Sequence, residues 1–234
     1  MSATIPAPER STPRQPLSRG EVVDAAIRIV DSQGIEALSM RGLAQELNVY
    51  PSAIYWHAGN KAQLLSLIYK RLMQDLQLPD ATALEWDEWV LAMASAVRDE
   101  FGKHPDLAAR WGSQLQVTSS GLEFAEQVLK VLSRGGFSDV QLPLVYNTVS
   151  AAIFGWITAE FATEPADAEE EWQSYLEKHV SESISQLPTI NRHRKNLLNQ
   201  AFSLRWESGQ KAPMKASFEF SMRVMVEGLK SLKT

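Results

Sequence analysis

Between Ser18 and Pro79 the chain carries so many helix start and stop signals that one long helix is ruled out, and their spacing dictates short helices joined by tight turns. Ser18 and Glu21 stand in the S-x-x-E spacing of a capping box, in which each side chain satisfies a backbone N–H at a helix start. Val22, Ala26, Ile29 and Val30 then repeat at helical spacing until Gly34 supplies a stop. Ser39 suits the N-cap of a short second helix holding Leu43, Ala44 and Leu47, and Asn48 suits the left-handed conformation of the turn that ends it. Pro51 fits the first position of a third helix running through Ile54 to about His57. Asn60, with Gln63, opens a fourth that runs through Leu64, Leu65, Leu67, Ile68 and Leu72 towards Pro79.

Beyond Pro79 the periodicity stays helical, with breaks expected at 102–105, 112–121, 135–136, 163–166, 187–191 and 209–213. Ser120 with Glu123, and Ser138 with Gln141, repeat the capping-box spacing. No sustained alternation of β-branched residues and no hairpin dipeptide between two such runs signals a strand. The expectation is an all-α chain of nine to ten helices: a flexible arm at 1–17, a head at 18–62 and a helical body at 63–234. The first residues, rich in proline and lacking an apolar run, do not read as a secretory signal, and no stretch reads as long and apolar enough to span a bilayer. With no cysteine, disulfides, thiolate metal sites and a thiol nucleophile are excluded, and a reducing cytoplasm is the expected compartment. The net charge of −5 is unevenly divided, residues 1–71 carrying +2 and the remainder −7, as in a mildly basic head on an acidic body.

A short second and third helix separated by a tight turn have the geometry of a helix-turn-helix, although the pattern alone also fits an ordinary three-helix corner. The run from Leu38 to Leu47, then Asn48-Val49, Ile54-Tyr55-Trp56-His57 and Asn60-Lys61, closely resembles the DNA-binding head of the TetR family of repressors. Tyr55-Trp56-His57 followed by Asn60-Lys61 is especially similar to the tetracycline-repressor branch, and weaker echoes continue through Trp86 to His104, Gly136-Phe137-Ser138, Gly155 and Gly228-Leu229. The resemblance implies that the third helix enters the major groove of double-stranded DNA while the second braces the backbone. The expected DNA surface is Arg41, Pro51, Ser52, Ala53, Tyr55, Trp56, His57 and Lys61. In it Ser52 and Ala53 approach base edges, Tyr55 and His57 offer polar tips to phosphate, and Trp56 packs more than it reads. Lys61 opens the fourth helix, where free N–H groups already favour an anion.

In the body, Phe218, Met222, Met225, Leu229 and Leu232 draw an apolar seam along the last helix, widened by Phe220, Val224 and Val226. It suits either intramolecular packing or a two-fold homodimer; the resemblance favours a four-helix dimer interface with the helix around 146–161, in which Phe154 also takes part. Six of the seven tryptophans lie beyond the head; singly each fits plain core, and together they suggest a cavity for a small hydrophobic or aromatic effector. Met73, Met93, Val97, Trp111 and Leu115 are its expected apolar lining, and Gln114, Asn147 and Ser150 its polar anchors. The aligned segments put Trp111 where the tetracycline branch carries a metal-binding histidine and Gln77 where it has a ligand-contacting one, which disfavours magnesium–tetracycline. No nucleotide loop, nucleophile elbow or zinc-protease motif occurs, and the four histidines lack ligand spacing, so neither an enzyme nor a cofactor or metal is expected. The family implies a repressor released from a palindromic operator by its effector; a helical binding protein without DNA function is the alternative.

Overall fold

The computed structural model describes residues 16–111, 119–162 and 172–232. Among them eleven α-helices and no strand occur: α1 (Arg19–Gln33), α2 (Met40–Glu46), α3 (Pro51–Ala58), α4 (Lys61–Asp75), α5 (Trp86–Phe101), α6 (Pro105–Arg110), α7 (Ser119–Arg134), α8 (Leu142–Glu160), α9 (Trp172–Ser185), α10 (Pro188–Leu197) and α11 (Lys215–Lys230). Most of the expected arm, the 163–166 break and the effector candidates Gln114 and Leu115 lie outside the described residues.

The first four helices start and stop where their caps require. Ser18 Oγ accepts from the Glu21 N–H at 3.2 Å, and the Glu21 carboxylate accepts from the Ser18 N–H at 2.7 Å. Ser39 Oγ accepts from the Gly42 N–H at 3.0 Å; a Cβ on Gly42 would lie 2.9 Å from that oxygen, so the glycine that weakens α2 also leaves room for its cap. Asn48 turns the chain at φ 50°. α1, α2 and α3 close on Val22, Ala26, Leu43, Ala44 and Ile54, all essentially without exposure. α4 leaves this head to pack on α1 at one side and α7 at the other, so the boundary expected at residue 62 falls in its first turn.

α5, α7, α8 and α11 form the body's core around Trp89, Met93, Val97, Val149, Ile153, Phe218 and Met222. A buried ion pair crosses it: Arg98 Nε and Nη2 donate to the two Glu160 oxygens at 2.9 and 2.6 Å, and the Met214 N–H donates to the same carboxylate at 2.7 Å. That carboxylate binds α5, the end of α8 and the start of α11 together.

Several expectations are corrected. Ser120 does not cap a helix; it lies inside α7, buried, with its hydroxyl donating to the Lys70 carbonyl at 3.3 Å, and Gly121 is helical too. Pro188 begins α10 within the stretch expected to be a break. Only half of the Ser138 box forms, the Ser138 N–H donating to Gln141 Oε1 at 2.9 Å, and α8 starts at Leu142. α8 is, by length and composition, long and apolar enough to cross a membrane, against expectation; one of its faces is spent on the core through Val145, Val149, Ile153 and Ile157.

The seam assigned to a dimer is turned inward: Phe218, Met222 and Leu229 are buried against α5 and α8 of the same chain, and Met225 is half-buried beside them. Phe154 is half-buried, its ring stacked on Trp111 with centroids 5.2 Å apart. Period alone marked a stripe without showing which of two apolar faces of α11 meets the core.

Candidate functional site

α3 owes its prominence to where it is anchored. Ile54 and Ala58, one turn apart, are buried against the neighbouring head helices, which leaves Pro51, Ser52, Tyr55 and Trp56 in water. Ala53 and His57 flank that face and are half-buried. Trp56, expected to pack, is instead 81% exposed and stands edge-to-face with the His57 ring, with centroids 4.6 Å apart. Tyr50, which sequence reasoning did not assign, precedes Pro51 in extended conformation and is 85% exposed, placing an aromatic hydroxyl at the tip of the same helix. Its only sequence signal is its position before a helix-opening proline.

Arg41 on α2 and Lys61 on α4 are exposed as expected. Lys61 follows a complete capping box: Asn60 Oδ1 accepts from the Gln63 N–H at 2.9 Å, and Gln63 Oε1 accepts from the Asn60 N–H at 3.0 Å. Gly59, at φ 68°, is obligatory here because a side chain would collide with Gln63. The surface thus presents hydroxyls, an imidazole and two cations along a projecting helix and its flanks, groups suited to base edges and phosphates.

Head and body meet at α6. The Ile35 N–H donates to Asp106 Oδ2 at 3.0 Å, the His104 Nδ1 lies 2.9 Å from Asp31, and Arg110 pairs with Glu36. Tyr69 on α4 donates to the Leu107 carbonyl at 3.2 Å; burial pushes its phenol up to about 12, opposed by the Arg110 charge.

Between α4 and α7 lies a cavity of about 320 Å³, with Met73, Leu76, Leu78 and Phe124 as apolar walls and Gln74, Ser120, Glu123 and Gln127 as polar ones. Among the described residues, Met73 is the one expected lining residue found here. Met93 and Val97 are sealed in the core, while Trp111 is wedged among Tyr69, Phe101 and Phe154 at centroid distances of 5.0, 4.7 and 5.2 Å. Ser150 is half-buried, and Asn147 is on the outer face of α8, away from the core side on which an anchor was expected. α4 and α7 are far apart in sequence, so no local pattern could have paired them.

Comparison with known proteins agrees with this arrangement. Residues 22–68 match the family model "Bacterial regulatory proteins, tetR family", and residues 78–232 match "Tetracyclin repressor-like, C-terminal domain". An HTH-type transcriptional regulator of Saccharopolyspora erythraea is 26% identical over 78% of each chain. The tetracycline repressor protein class C of Escherichia coli is also 26% identical, over 93% of this chain and 92% of its own. Among solved structures, one described as a possible TetR family transcriptional regulator from Streptomyces coelicolor A3(2) superposes with a TM-score of 0.74 at 22% identity, covering 92% of this chain and all of that one. With both models matched in order along most of its length, the chain belongs to the TetR family of bacterial regulatory proteins.

Proposed function

We propose that the chain is a transcriptional repressor that holds a palindromic operator as a homodimer and releases it when a small hydrophobic or aromatic effector enters the body. The observation that carries this reading is the projection of α3, anchored by Ile54 and Ala58 and offering Ser52, Tyr55 and Trp56 to a groove, with Arg41 and Lys61 at its flanks. Pro51, Ala53 and His57 complete the contact surface. The head at 18–62 and the body at 63–234 act as separate parts, with α4 shared between them.

The homodimer surface that the geometry favours keeps the two expected helices but uses Phe220 and Val224, which widen the seam, in place of its buried line. α8 and α11 run antiparallel: Gln141 Nε2 donates to the Leu232 carbonyl at 3.3 Å at one end, and Glu160 holds the Met214 N–H at the other. Both leave apolar stripes in water, Leu144, Ala151 and Gly155 on α8 and Phe220 and Val224 on α11. Two such pairs packed about a two-fold axis make a four-helix interface that sets two heads about one turn of DNA, roughly 34 Å, apart. The α4–α7 cavity is of a size to take a small ligand.

Selection of bound fragments from random DNA tests the reading. Enrichment of an inverted repeat, with affinity that falls steeply as salt rises, is the expected result. A chain that enriches no sequence and shows no salt-dependent binding would leave a helical binding protein without DNA function.

A further inference from the structure

A groove of about 440 Å³ runs beside α3, lined by Arg19, Trp56, His57, Gly59, Gln63 and Ser66 among others. Arg19 opens α1, and its Nε donates to the His57 carbonyl in the last turn of α3 at 3.0 Å. That bond ties the guanidinium at the groove and leaves both terminal nitrogens as donors. Arg19 forms no ion pair with any described carboxylate, and nearby Glu21 is engaged with the Ser18 N–H and hydroxyl at 2.7 and 2.8 Å. Gln63 Oε1 is occupied by the Asn60 N–H, so its amide nitrogen is the group left to donate. Among the described residues, no acidic one lines the groove.

We infer that this groove is a phosphate-holding subsite for the DNA strand flanking the base pairs that α3 reads, with Arg19 as its cation. The inference rests on the DNA-binding reading above and adds to it a residue outside the helix-turn-helix and a groove along the edge of that motif. A guanidinium fixed through one nitrogen presents its remaining N–H groups in a planar fork that matches two phosphate oxygens. The exposed Trp56 indole gives a flat apolar wall against which a deoxyribose can lie. Tyr55 and Trp56 line the groove and also belong to the outer face of α3, so the surface is continuous with the one that enters DNA. That continuity selects a duplex backbone over a free anion as occupant.

The test measures the full-length chain on a duplex recovered by selection and on an unrelated duplex of equal length, across a salt series. Arg19→Ala and Arg19→Gln, the latter keeping an N–H for the His57 carbonyl, should each weaken both duplexes by about three- to tenfold and lower the salt slope by about one. Arg19→Lys should keep the slope. Slopes in Arg19→Ala and Arg19→Gln equal to that of the parent overturn the subsite, and so does an affinity loss without a slope change that tracks a lower melting temperature. A parent chain that binds neither duplex overturns the repressor reading itself, whereas a steep parental slope shared by both variants removes the subsite alone.

Discussion

Glu160 has no solvent-accessible surface, and an ionised group there is tolerable only because every part of its charge is answered: two nitrogens of Arg98 and one backbone N–H converge on it. Removing Glu160 leaves the buried Arg98 to the largely exposed Asp99, whose Oδ1 lies 3.3 Å from its Nη1. Glu160→Ala should therefore cost about 3–5 kcal/mol, read as a lower urea midpoint; a loss under about 1 kcal/mol would mean that Arg98 finds water or another carboxylate. Lys61 is the opposite case, an exposed cation at a helix start with little to stabilise. Lys61→Ala should leave the melting temperature unchanged, weaken all DNA sequences alike and reduce the salt slope by about one, and an unchanged slope would remove it from the interface.

At the scale of the helix, the caps show what a sequence can and cannot disclose. Ser18 with Glu21, Ser39, and Asn60 with Gln63 were legible because a cap is a local device, complete within four residues. Ser120 misled because serine and glutamate at that spacing also arise inside a helix, where the hydroxyl found the Lys70 carbonyl of another element. The α11 stripes failed for a related reason: both faces are apolar, and only long-range packing decides that Phe218 and Met222 turn inward while Phe220 and Val224 remain outside. Trp56, expected to pack, stays outside because the helix anchors on Ile54 and Ala58 instead.

The first and last long body helices are also pinned at their ends by Lys230, whose Nζ lies 2.7 Å from Asp87. The hydrogen bond from Lys230 holds the Asp87 carboxyl below its ordinary range and raises the ammonium in turn. A depressed folded-state value stabilises above the unfolded one, near 3.9, and the contribution disappears as pH falls through the folded value. The stability gap between the parent and Asp87→Asn should thus be constant at neutral pH and shrink below about pH 4. A gap that persists unchanged to pH 2 would assign it to packing.

For the molecule as a whole, the decisive surface is the paired outer face of α8 and α11. Phe220 is 63% and Val224 56% exposed, large apolar groups for a free surface. Phe220→Glu with Val224→Glu should yield a folded monomer by light scattering and lose most of the affinity for an inverted repeat while retaining weak binding to a half-site; an unchanged dimer would place the interface elsewhere. A third α-helical surface matters for motion. Where α6 touches the head, the links are Ile35 to Asp106, Asp31 to His104 and Glu36 to Arg110, bonds that water can replace at little net cost. Leu107 and Ala108 of α6 are buried in one apolar core that runs from the head into the body, and such packing resists deformation. Any tilt of the head on α6 therefore has to carry this packing with it, the polar links are the part that yields first, and lever length delivers the displacement to the far tip, where Tyr50 and Ser52 stand.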